Sequence, residues 1–558
     1  MNAERLLALY EKVAEAPDAV PRLRRFVLDL AVRGKLVPQE AGDEPASELL
    51  KRIAAEKARL VKAGEIRKKA AQNPKMVEPP HELPSNWRWV SLGTVFLYDA
   101  GAKREPKSLD PSLWLLELED IEKETGRLVA RISVADRESK STKSEFQVGD
   151  ILYGKLRPYL TKVLVADAPG YSTTEIVAIR PFLPLCSEYC ALALKRPAFV
   201  DYVTRLGQGT KMPRLRTEDA VVSPFPLPPL AEQRRIVAKV EELMALLDRL
   251  EAARTAREAT RDRLTAASLA RLTAHDTDAA DFPAHARFAL AALPALTTRP
   301  DQIKPLRQTI LNLAVRGKLV EQDPTEEPIK LPQSGDGDGP EALPSGWRFA
   351  RLGHLLAENT RNGFSRRPDD AENGVPILRI SAGTVRQDGI VAEEEHKLIS
   401  GIDDATRFQY GLQRGDLLAC RFNGNKAFVG RLTLFNDYLR LDPIYPDKLI
   451  RIRLDRRLAL PEFIRMAGES DLVRGCIEVF CATTVGNWGV SASNLKEVPF
   501  PLPPLAEQHR IVAKVDALMA LCDRLEATLT TTDTTRARLL EALLHEALTS
   551  AEEREAAA

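Results

Sequence analysis

A fifteen-residue phrase occurs twice in this chain. "PLPPLAEQRRIVAKV" runs from Pro226 to Val240 and "PLPPLAEQHRIVAKV" from Pro501 to Val515, differing only at Arg234 against His509. Two more phrases recur in the same order. "LAVRGKLV" fills Leu30–Val37 and Leu313–Val320, and "LPSNWRWVSLG" at Leu83–Gly93 answers "LPSGWRFARLG" at Leu343–Gly353. The copies stand 283, 260 and 275 positions apart. That period is far too long for a solenoid, so the chain is a two-fold internal duplication.

Each half has the same order: a helical segment ending in "LAVRGKLV", a polar linker, "LPSxW", a mixed-pattern region, then the "PLPPLAEQ" helix. The first linker holds an extra segment from Pro45 to Ala70 with Leu49, Leu50, Ile53, Leu60 and Val61 on one face. Its basic residues suit a solvated face better than a DNA contact. The second linker has "PQSGDGDGPEA" instead, which reads as loop. "DILYGKL", "TKVLVADA" and "EIVAIRPF" look like short strands in the first half, as "GDLLACRF" and "GRLTLFN" do in the second. The expectation is an α/β chain with two globular domains of normal size. The expected division is 1–82 helical segment and linker, 83–226 first domain, 227–342 central helix and linker, 343–500 second domain, and 501–558 C-terminal helix.

The repeated phrase reads as the start of a long helix, with prolines at its entrance and Glu232 and Glu507 near the positive end of its dipole. A heptad-like seam follows. Ile236, Val240, Leu243, Leu247 and Leu250 are matched by Ile511, Val515, Leu518, Cys522 and Leu525. Two such seams in one chain predict that the helices pair with each other, antiparallel if their roles are equivalent. A helix from Leu230 to Leu272 would be about 65 Å long, at ~1.5 Å per residue.

Composition narrows the function classes. The net charge is only +1, yet Gln147–Arg216 carries ten Lys/Arg against five Asp/Glu, and Leu412–Gly475 twelve against eight. Local basic patches therefore persist within a neutral chain. The six cysteines form no CxxC pair and imply no disulfide framework. The charged N-terminus lacks a signal core, and no stretch approaches the ~20 apolar residues of a membrane span. A cytoplasmic protein is expected.

These phrases resemble the specificity subunits of type I restriction-modification systems. "PLPPLAEQRRIVAKVEELMALLDRLEA", its copy from Pro501, "LAVRGKLV", "LPSxW", "GDILYGKLRPYLTKV", "YSTTEIVAIRP" and "GTKMPRLRTEDA" are similar to stretches of that family, in family order over nearly the whole chain. The resemblance implies two target recognition domains separated by an antiparallel helical pair, each reading one half of a bipartite site in double-stranded DNA. It implies docking to two modification subunits, which methylate adenine N6 with S-adenosylmethionine. Restriction subunits using ATP and Mg can join. It implies no active site and no cofactor in this chain.

The residues carry the same reading without the family. Near-identical helical surfaces bind one kind of partner twice. Unlike domains on a common frame bind different ligands. "DPIY" at Asp442–Tyr445 lacks a proline of the adenine-methyltransferase motif, and Pro368-Asp369 with Glu395-His396-Lys397 only loosely resembles a nuclease. No phosphate loop or metal spacing is present. DNA reading is left to polar loops. In the first domain these offer Lys155, Arg157, Tyr159, Lys162, Gln208, Lys211, Arg214 and Arg216. In the second they offer Arg421, Asn423, Asn425, Lys426, Arg431 and Asn487, with Thr484 and Trp488 beside them. Arg pairs with guanine and Asn or Gln with adenine, while Lys more often meets phosphate. A fused methyltransferase or a protein-only adapter are the competing readings. DNA methylation by the chain alone would favour the first, and failure to bind DNA the second.

Overall fold

The computed structural model describes residues 14–137, 139–207, 211–274, 281–331, 339–383, 390–391, 396–436, 442–484 and 486–548. The framing helices are α1 (Ala19–Val32), α2 (Ala46–Lys62), α3 (Leu230–Thr273), α4 (Ile303–Ala314) and α5 (Leu505–Leu548). Two compact units divide inside the long helices α3 and α5. One unit is 1–256 with 533–558, and the other is 257–532.

In the first unit, β1 (Arg88–Ser91) opens the domain. β2 (Phe96–Tyr98), β3 (Ile151–Gly154), β4 (Val163–Val165) and β5 (Ile176–Pro181) form an antiparallel sheet in the order β2-β5-β3-β4. A second four-stranded sheet lies between β2 and β5 in sequence, and β6 (Pro224–Leu227) closes the domain by pairing with β1. The second unit repeats this frame. β7 (Arg348–Arg351) opens it, and β8 (Leu356–Asn362), β9 (Leu417–Cys420), β10 (Leu432–Leu434) and β11 (Leu449–Leu454) order themselves β8-β11-β9-β10. β12 (Pro499–Leu502) then pairs with β7 in the register that β6 keeps with β1. The middle strands β3 and β9 are buried throughout, as expected for apolar runs covered on both faces. Each sheet is also pinned by a bidentate pair, Arg180–Asp150 at 2.7 Å and Arg453–Asp416 at 2.7–2.8 Å.

The three repeated phrases meet in one hub per unit. Gly34 has φ +67°, and a Cβ there would stand 2.5 Å from Pro84 Cγ and 3.4 Å from Trp87; Gly317 has φ +65° and the same distances to Pro344 and Trp347. The glycine thus gives both the left-handed turn and the close approach. Trp87 Nε1 donates to Glu232 Oε2 at 2.9 Å, and Trp347 Nε1 to Glu507 Oε2 at 3.0 Å. Gln233 and Gln508 are fully buried. Each donates to a proline carbonyl five residues back and accepts a backbone N–H, that of Cys186 or Leu460. "AEQ" therefore ties the start of each long helix to its domain.

The expected apolar seam finds a partner other than the one foreseen. Ile236, Val240, Leu243 and Leu247 pack into the first domain's core with Trp87, Phe225 and Val27 of α1. Ile511, Val515, Leu518 and Cys522 do the same in the second core with Ile303 and Ile310 of α4. Leu250 is half-buried and Leu525 exposed. An apolar stripe fixes which face of a helix is covered, and a short helix lying alongside covers it as well as a long one.

The distal halves cross over instead. Leu540, Leu543 and Leu544 of α5 pack on Ala19 and Phe26 of α1, while Leu269 and Leu272 of α3 pack with Leu313 of α4. Lys35 donates to the Leu548 carbonyl at the end of α5, and Lys318 to the Ala274 carbonyl just past α3. Cations there suit the negative end of the dipole. α1 thus holds α3 near Asp248 and α5 near Glu541, whereas α4 holds α3 near Leu269 and α5 near Asp523. Each long helix is thus anchored once in each unit.

The extra segment is α2. Ala46, Leu49 and Ile53 are buried in the first core, with Leu50 and Leu60 against it. Lys57 turns inward, its ammonium donating to Asn73 Oδ1 at 2.9 Å over the Phe182 ring, and burial lowers its pKa to about 8.

Candidate nucleic-acid interface

β3 and β9 do not stop at the sheet edge. Past β3, the chain from Lys155 to Arg157 pairs with residues 213–215. Leu156 bridges Arg214, Leu215 N–H donates to the Lys155 carbonyl at 2.9 Å, and Arg157 N–H to the Pro213 carbonyl at 2.8 Å. Past β9, Phe422-Asn423 pairs with Trp488-Gly489, and Val490 N–H donates to the Arg421 carbonyl at 3.0 Å. Two loops far apart in sequence are thereby joined at the same place in each domain.

The first loop pair is cationic. Arg157 is exposed and left-handed at φ 50°, with Thr161 at φ 51° on the other side of a short Pro158–Leu160 turn. Left-handed backbone at a residue other than glycine costs on the order of 1–3 kcal/mol. Two such residues flanking an exposed turn mark a held conformation. Lys211, Arg216 and Tyr159 are exposed, and Lys155 is half-buried. Arg214 is exposed and paired with Glu175 at 3.0 Å. Gln208 lies outside the described residues. Lys162 is committed to the fold instead: its ammonium donates to the Leu118 carbonyl at 2.6 Å.

The second loop pair is built on amides and aromatics. Arg421 lies over the Phe422 ring at 4.7 Å, Lys448 lies 5.1 Å from the same ring, and Lys426 is 5.2 Å from Trp488. Asn423 Oδ1 accepts from Asn425 N–H, and Asn425 Oδ1 from Ala427 N–H, so both amides shape the turn. Asn487 is exposed. Arg431 is held inside the domain by Glu469 at 2.9 Å, with 11% of its side chain exposed. Lys448 was missed by sequence reasoning, because only the fold carries it to Phe422.

The motifs weighed for chemistry are absorbed elsewhere. Asp369 accepts from the Ser400 amide at 3.0 Å and hydroxyl at 2.5 Å, and Glu395 lies outside the described residues. Tyr445 is buried and its hydroxyl donates to the Arg361 carbonyl. Among the described residues, no group of three His, Cys, Asp or Glu is placed to hold a metal.

Comparison with known proteins decides the family. The EcoEI type I restriction enzyme specificity subunit of Escherichia coli is 31% identical over 95% of this chain and 94% of its own. The chain belongs to the type I restriction-modification specificity subunits. The EcoAI specificity subunit of Escherichia coli is 29% identical over the same shares of the two chains. The family profile for the type I restriction modification DNA specificity domain matches residues 481–532, from the second loop pair into α5. A solved structure described as the structural basis of complex assembly and conformational transition of the type I R-M system aligns with 84% of this chain and all of its own, at TM-score 0.53 and 22% identity. The last comparison bears on the fold alone. Two α/β domains with a long helix after each fit the specificity subunit, the DNA-selecting and non-catalytic member of its complex. No described helix of this specificity subunit is long and apolar enough to cross a membrane.

Proposed function

We propose that each domain binds one half of a bipartite sequence in double-stranded DNA, and that the long helices set the spacing and dock two modification subunits. The observation that carries this reading is a contrast within one chain. The hubs share their tryptophan–glutamate and glutamine bonds, whereas the loop pairs share a backbone register and differ in nearly every side chain. Matched surfaces suit one partner taken twice. Leu246 and Leu521, equivalent positions of the repeated helix, are both exposed, which suits such a contact. Unlike loops suit two different half-sites.

In this division of labour the modification subunits carry S-adenosylmethionine and methylate adenine N6, and restriction subunits, where present, use ATP and Mg. The target adenine leaves the stack for methylation. Lysines at the loop pairs supply salt-dependent phosphate contacts, and arginine and asparagine select bases. Mapping N6-methyladenine in a genome expressing this chain with its modification subunit tests the reading. The expected result is a bipartite motif with an unspecified centre. A continuous palindrome, or no motif, overturns it.

A further inference from the structure

The shared register lets the two loop pairs be compared position by position. Leu156 facing Arg214 corresponds to Phe422 facing Gly489, and the Leu215-to-Lys155 bond to the Val490-to-Arg421 bond. It follows that Arg157 occupies the place of Asn423, and Met212 that of Asn487. The first pair therefore offers guanidinium where the second offers amide.

Within each pair most polar groups are already engaged. Arg214 is paired with Glu175, and Arg421 lies over Phe422 and reaches the Asp447 carbonyl. The Asn423 and Asn425 carbonyls accept backbone N–H groups. A bidentate contact to a base edge needs both ends of an amide, or one edge of a guanidinium, free of such ties. Within the paired stretches 155–157, 212–215, 421–423 and 487–490 two exposed groups meet that condition; Arg216 is exposed as well but follows the paired residues. The Arg157 guanidinium makes no hydrogen bond or ion pair with the described residues. The same holds for the Asn487 amide, whose Oδ1 lies beside Gly424, where a Cβ would stand 3.7 Å away. Arg157 is held at φ 50°, and Gly424 leaves the Asn487 amide without a side chain beside it.

We infer that Arg157 and Asn487 are the specificity-determining residues of the two domains, Arg157 reading a guanine in one half-site and Asn487 an adenine in the other. This rests on the proposed bipartite reading. The guanidinium donates to guanine O6 and N7. The amide donates to adenine N7 and accepts from its N6 amino group. Lys155, Lys211 and Lys426 remain for phosphate.

The experiment compares four variants with wild type, each co-expressed with the modification subunit: Arg157→Ala, Arg157→Lys, Asn487→Ala and Asn487→Asp. Methylated motifs are mapped, and the purified complexes compete for duplexes changed at one base pair. Both Arg157 variants should lose preference at one guanine of one half-site, by roughly tenfold or more, with the other half unchanged. Arg157→Lys keeps the charge but not the two-pronged donor, so its failure separates base reading from phosphate contact. Both Asn487 variants should lose preference at one adenine of the opposite half. Equal weakening on every duplex, an unchanged motif, or changes confined to one shared half-site would overturn the assignment while leaving the bipartite reading intact. Absence of a bipartite motif in wild type would overturn the reading itself.

Discussion

Trp87 donates to Glu232 as Trp347 donates to Glu507, and Arg24 meets Asp248 and Glu251 as Arg307 meets Asp523 and Glu526. At the tip of the same two domains, Arg157 stands where Asn423 stands. The contrast shows where duplication was free to drift. In a hub the glycine lies against the tryptophan, the tryptophan bonds the glutamate, and the neighbouring glutamine bonds the domain backbone. A loop pair needs only its backbone bonds, so its side chains can change with the ligand. The hubs are not perfect copies, however, and their differences make the comparison testable.

The largest effect is expected where backbone and packing fail together. Gly34→Val and Gly317→Val put a β-branched residue at positive φ and drive its Cβ into a proline. Each should cost about 3 kcal/mol or more and loosen its own hub. Denaturant unfolding combined with hydrogen exchange checks this. Exchange should quicken around Trp87 in the first variant and around Trp347 in the second. Simultaneous loosening of both hubs would mean that they are not independent copies.

Next comes the tryptophan. Trp87→Phe and Trp347→Phe each remove a donor from a buried carboxylate, and should cost about 2–4 kcal/mol. Glu232 keeps a second donor, Gln39 Nε2 at 2.6 Å, whereas Glu507 Oε1 is buried with no partner among the described residues. Trp347→Phe should therefore be the more damaging by denaturant midpoint. Equal losses would mean that Gln39 contributes nothing to the difference.

A smaller effect concerns pH. Burial raises the pKa of both Glu232 and Glu507, against the opposing hydrogen bond from tryptophan. Each glutamate then binds its proton more readily folded than unfolded. Its contribution is most favourable below the ordinary value of 4.5 and falls as pH rises through and above it. Glu507→Gln removes that dependence, so the stability of wild type relative to the variant should decline from pH 4 towards neutral. Glu232→Gln should show the same sign. A flat or rising difference would contradict the burial argument.

Much of this frame was legible in the sequence. The repeat gave the two units their order, and Leu49 and Ile53 marked the buried face of α2. What the phrases do together was not legible. Glu232 read as a dipole partner because nothing local announces that Trp87, 145 residues earlier, reaches it. The seam gave a face without a partner, since α1 and α4 satisfy the spacing as well as another long helix would. Lys162 and Arg431 looked like surface cations, but a long side chain can be spent on a carbonyl or a half-buried carboxylate out of sight of its neighbours in sequence. The match of "GDIL" at Gly149 with "GDLL" at Gly415 already sets Arg157 opposite Asn423, but that residues 213–215 and 488–490 pair with these stretches came only from the fold.

The smallest expected effect concerns an ion pair that one half has and the other lacks among its described residues. Asp248 is shared between Arg24 at 2.6 Å and Arg127 at 2.7 Å, so a turn of the first domain touches α3 directly. Asp523 and Glu526 both lean on Arg307. Arg24→Ala leaves Asp248 with Arg127, whereas Arg307→Ala leaves two carboxylates three residues apart on one helix face. The Arg307 variant should lose more, though by only about 0.5 kcal/mol, because exposed pairs are worth little. A double-mutant cycle of Arg24→Ala with Arg127→Ala measures what the shared aspartate contributes, and ~0.5 M salt should erase most of it. If the Arg24 and Arg307 variants lose the same amount at low salt, the turn around Arg127 does not brace the first domain on its helix.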